Sequence, residues 1–69
     1  MTAETLRCRQ ELETRALRRF AGDADMARLW LRTTQPALGR SPWTHSVDER
    51  RRDECLRLLD AALPKGRRG

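Results

Sequence analysis

The chain has no tyrosine, one phenylalanine, two tryptophans, one histidine and two cysteines in 69 residues. Each scarcity excludes something. Cys8 and Cys55 are far apart, form no C-x-x-C pair and share the chain with one imidazole, His45, so a closed zinc site is not available. His45 has no serine or cysteine nucleophile at a spacing that predicts contact, and the acids occupy cap and ion-pair positions, so no catalytic set is expected. A lone histidine in a short helix reads as a surface residue. The four glycines stand singly, which excludes a loop built to cradle phosphate. No apolar run approaches about 18 residues, and no charged, apolar, small-residue leader opens the chain. The expectation is a soluble cytoplasmic protein with reduced thiols and no cofactor. Spacing alone leaves open whether Cys8 and Cys55 meet across the first and last helices.

What is present is arginine. Lysine occurs once, at Lys65, and the net charge of +5 is almost entirely guanidinium. The charge is spread evenly: residues 1–21, 22–47 and 48–69 carry +2, +1 and +2. A nucleic-acid stripe concentrates charge on one face, so even spreading argues against one. At this length the chain forms at most one domain and buries only about 60% of the surface its unfolded form exposes. A partner or a second copy would add stability by mass action.

The hydrophobic pattern predicts an all-α protein, a small bundle of three to four helices over residues 1–63, followed by a flexible basic tail at 64–69. Thr2 caps a first helix to about Ala21, with Cys8, Leu12, Ala16, Leu17 and Phe20 on one side and Leu6 near its edge. Glu11 precedes Arg15 by four residues, the favourable order for a helical ion pair. Gly22 stops this helix and Asp23 caps the next, whose stripe is Met26, Ala27, Trp30 and Leu31. Pro36 forces Gln35 out of helical geometry. In the following loop Leu38 is the only strongly apolar residue, which makes it the plug of the core beneath, and Gly39 supplies a backbone angle other residues tolerate poorly. Ser41-Pro42 opens a short helix as a hydroxyl cap followed by proline at the first helical position. Asp48 starts the last helix, with Cys55, Leu58, Leu59 and Ala62 on its apolar face, Leu56 and Leu63 on the flank, and Arg50, Arg51 and Arg52 in its exposed first turns. Asp53 precedes Arg57 by four and supports the helix as an ion pair.

The order of signals from Phe20 to Pro42 resembles the toxin-binding domain of Xre/MbcA/ParS-type antitoxins. The residues that carry the likeness are Phe20, Gly22-Asp23, Trp30-Leu31, Pro36, Leu38-Gly39 and Ser41-Pro42. That family shows a Phe-Gly-Asp start, a helix ending in Trp-Leu, a Thr-Pro-Asn-x-x-Leu-Gly-Gly loop and a Ser/Thr-Pro helix start. The likeness covers about residues 15–66. This chain departs from it at Thr34-Gln35, where the family has Pro-Asn, at Gly39-Arg40 in place of Gly-Gly, and at Trp43 to Ser46, where aliphatic residues are usual. Family members commonly carry a helix-turn-helix ahead of this domain, and about twenty residues before the motif leave no room for one here.

The resemblance implies a binding protein that occludes the active site of a RES-type, NAD-consuming toxin through its C-terminal region. On that reading Trp43, Leu56, Arg57 and the tail residues Lys65, Arg67 and Arg68 are the contact residues, the basic groups facing a site built for a phosphate-bearing cofactor. Trp43 has a second reading as core filler, since a tryptophan serves either role. The alternatives are a small basic nucleic-acid-binding module, weakened by the scarcity of aromatic residues for base stacking, and a freestanding accessory domain without a toxin partner. Self-association is compatible with all three.

Overall fold

A computed structural model describes residues 1–62, with the side chain of Ala62 undescribed. It is all-α: among the described residues the elements are α1 (Ala3–Arg19), α2 (Ala24–Arg32), α3 (Pro42–His45) and α4 (Glu49–Ala62). The expected tail and Leu63 lie outside these residues.

Local chemistry sets each boundary. Thr2 receives the Thr5 N–H on its hydroxyl and starts α1. The helix stops two residues earlier than the sequence suggests, because Ala21 and Gly22 both take left-handed angles, at φ 57° and 86°. There the Gly22 N–H returns to the Leu17 carbonyl at 2.8 Å, closing the orphan carbonyls of the last turn. Asp23 then caps α2 by accepting from the Met26 N–H at 3.2 Å. After α2, the Gln35 carbonyl accepts from the N–H groups of Leu38 and Gly39, each at 2.9 Å, and the Gln35 N–H donates to the Arg40 carbonyl at 3.1 Å. That closed loop needs the φ of 74° that Gly39 supplies. Ser41 caps α3, accepting from the Thr44 N–H, with Pro42 at the first helical position. Asp48 receives the Arg51 N–H at 2.9 Å and begins α4. The bond from Arg51 holds the Asp48 carboxyl below the usual carboxylate range.

Packing follows the stripes. α1 lies against both α2 and α4, and α3 bridges α2 and α4. Leu12, Ala16, Ala27, Leu31, Cys55 and Leu59 form the core, with Phe20, Trp30, Leu38, Trp43 and Leu56 packed on its margin. Leu38 therefore does plug the core from its loop. Leu17 and Met26 do not belong to it: they are 37% and 45% exposed. The centre of each stripe, Leu12 and Ala16 on α1 and Ala27 and Leu31 on α2, turns inward and leaves these edge positions on the outside. Cys8 and Cys55 are both buried and free, so no disulfide joins them. Burial raises both thiols above their ordinary value of 9.0, Cys55 to about 11.

Two expected ion pairs are replaced by others. Glu11 does not reach forward to Arg15; it meets Arg7 at 4.0 Å and, across the seam, Arg52. Asp53 takes Arg52 at 2.9 Å instead of Arg57. Arg52 is thus not an exposed first-turn cation: its side chain is 20% exposed and lies between two carboxylates. The hydrogen bonds it donates to Asp53 and Glu11 raise its affinity for the proton. The unfavourable position of a cation at this end of the helix dipole is offset by Asp53 beside it and Glu11 on α1.

Candidate protein-binding surface

The short helix α3 is held at a corner by side chains from three other segments. Thr5 of α1 donates its hydroxyl to the Val47 carbonyl at 2.9 Å, and Arg9 donates Nε–H to the Trp43 carbonyl at 2.8 Å. The same guanidinium lies over the Trp43 ring, 5.6 Å from its centroid. Trp43 is half-buried: one side packs on the core margin and Arg9 covers another. Its reading as core filler therefore holds in part.

His45 is the main correction. It is 8% exposed, not a surface residue. Arg40 Nε lies 3.1 Å from His45 Nδ1, and Glu54 Oε1 lies 2.7 Å from Nε2. A guanidinium can only donate, so Nδ1 accepts and the ring proton of the neutral imidazole sits on Nε2, where it is given to Glu54. The bond from His45 holds the Glu54 carboxyl below its usual range, helped by the charges of Arg57 and Arg51. The arrangement is structural, fixing the 35–40 loop to α3 and α4. The described residues contain no cluster of three side chains suited to a metal ion.

Two grooves flank α4. One runs between α1 and α4, has a volume of about 550 Å³, and is lined by Arg7, Gln10, Arg15, Arg52 and Leu56 among others. The second, of about 460 Å³, lies between the loop and α4 and is formed by Ala37, Leu38, Glu54, Arg57, Leu58 and Ala61. Leu56 and Arg57 thus open onto different grooves, as expected of successive residues about 100° apart on a helix. Trp43 lines neither groove. Of the suggested contact residues that are described, only Arg57 shares a groove with a residue of the loop motif, Leu38. Lys65, Arg67 and Arg68 lie outside the described residues.

The remaining motif residues are structural. Leu31 is core, Trp30 packs on its margin, Gly39 shapes the loop, and Ser41 and Pro42 start α3. Sequence reasoning missed Arg40, Glu54 and Arg9 as the side chains that build the corner. Arg40 and His45 are five residues apart and Glu54 nine beyond, spacings that no single helix makes adjacent, so periodicity carried no signal for them.

The chain matches no family model, no curated protein and no solved structure.

Proposed function

We propose that this chain is an antitoxin-like binding protein that occludes the active site of a RES-type, NAD-consuming toxin. The observation that carries the reading is the groove between the 35–40 loop and α4. In it Leu38, the plug of the loop motif, stands beside Arg57, Leu58 and Ala61. The groove offers aliphatic carbon next to a guanidinium that makes no ion pair among the described residues, while the carboxylate in its lining, Glu54, is engaged by His45. Such a surface suits a partner segment that presents an apolar side chain and an anionic group. The order of signals from Phe20 to Pro42 supports the same reading, and the buried bonds of His45 supply the rigidity that a binding loop needs.

The test is co-expression with a RES-type toxin, reading both co-purification and the cell's NAD content. The intact chain is expected to hold the toxin and preserve NAD. Arg57→Glu, and separately Trp43→Ala combined with removal of residues 64–69, are expected to lose both. Undiminished protection by these variants refutes the contact surface, and no protection by the intact chain refutes the function.

A further inference from the structure

A third groove, of about 320 Å³, lies between α1 and α2 on a face that the proposed function does not use. It is lined by Glu13, Thr14 and Leu17 from α1 and by Ala24, Ala27, Arg28 and Leu31 from α2. Its floor is apolar, and its two banks carry opposite charges. Glu13 makes no ion pair among the described residues, and Arg28 reaches only Asp25, at 3.7 Å, in a contact whose carboxylate is 96% exposed. No ion pair joins Glu13 to Arg28 across the groove. Farther along α1 a second exposed leucine, Leu6, 46% exposed, lies eleven residues before Leu17 and so falls on the same side of the helix about three turns away, with polar residues between them.

This pattern is self-complementary. A two-fold axis running along the groove carries α1 of one copy over α2 of the other. It sets Glu13 opposite the partner's Arg28, and Arg28 opposite the partner's Glu13. Leu17 then covers the alanine side of the partner's groove, where Ala24 and Ala27 allow close approach of the helices. We propose that the α1/α2 groove is the interface of a homodimer, closed by two symmetric Glu13–Arg28 pairs around Leu17. Both charges that the contact needs are present on one patch, which is the requirement for an isologous interface. A foreign protein would need to supply neither charge in this arrangement. Two short helices per copy place the contact at the small end of stable interfaces, so the dimer is expected to dissociate in roughly the micromolar range. The loop/α4 groove stays open in such a dimer, and the proposal stands or falls independently of toxin binding.

Sedimentation equilibrium of the full chain tests it. The wild type is expected to show a concentration-dependent monomer–dimer equilibrium. Glu13→Arg and Arg28→Glu each turn two attractive pairs into two repulsive ones and are expected to weaken the dimer at least about tenfold. Mixing these two variants in equal amounts restores both pairs in a heterodimer, with affinity expected within about threefold of the wild type. Because both positions are exposed, circular dichroism is expected to show unchanged helix content in each variant. A wild type that stays monomeric at hundreds of micromolar overturns the proposal. So does a dimer indifferent to either reversal, or a mixture that fails to recover.

Discussion

The seam between α1 and α4 and the corner around α3 are both closed by polar side chains, but in different media. Across the seam run Arg7–Glu49 at 3.0 Å, Arg19–Asp60 at 3.9 Å and Arg52–Glu11, with most of these side chains two-fifths exposed or more. At the corner the His45 side chain is only 10% exposed and its two ring nitrogens are both occupied. Exposed ion pairs are screened by water and lose side-chain freedom for little gain. A buried polar group that loses its partner has no water to turn to. The seam is therefore held chiefly by Leu12, Cys55 and Leu59 beneath its charges, whereas the corner depends on the buried, hydrogen-bonded ring of His45.

The sharpest way to break this comparison is His45→Ala. It removes a buried ring and leaves a void, while Glu54, 39% exposed, and the exposed Arg40 can turn to water, so the expected cost of about 2 kcal/mol in chemical denaturation comes chiefly from the lost packing. Arg52→Met is expected to cost less than about 1 kcal/mol, despite removing contacts to both Glu11 and Asp53, because its aliphatic stem is kept. If the arginine change proved the costlier of the two, the ranking of seam and corner would be reversed. The smallest effect is on pH dependence. Glu54 has a carboxyl held below its ordinary value of 4.5 in the folded chain, so it favours folding above that pH. Acid removes this contribution as the pH falls through the folded value. Denaturation midpoints are expected to decline on acidification below about pH 4.5, and Glu54→Gln is expected to flatten part of that decline.

What the sequence disclosed and what it concealed divide along the same line. Thr2, Gly22, Asp23, Ser41-Pro42 and Asp48 act on backbone groups within five residues, so their roles are readable without a fold. The core stripes of Leu12, Leu31 and Leu59 are equally local in origin. The reassigned partners of Glu11 and Asp53 come from Arg52, whose position relative to α1 exists only once the helices pack. His45 was concealed for the same reason, since its burial is made by Arg40 and Glu54 from two different segments. Of the proposed binding surface, the sequence marks Leu38 and Arg57 individually. Their sharing of one groove is a property of the loop closure at Gln35 and Arg40.

Cys8 on α1 and Cys55 on α4 are completely enclosed, and burial keeps both protonated well beyond neutrality. Alkylating reagents attack the thiolate, so neither sulfur is reactive while the helices stay together. The rate at which a maleimide consumes them is then a clock for transient separation of the first and last helices. The chain carries this gauge of its own breathing without any engineered label, and a ligand that clamps the bundle shut should slow it.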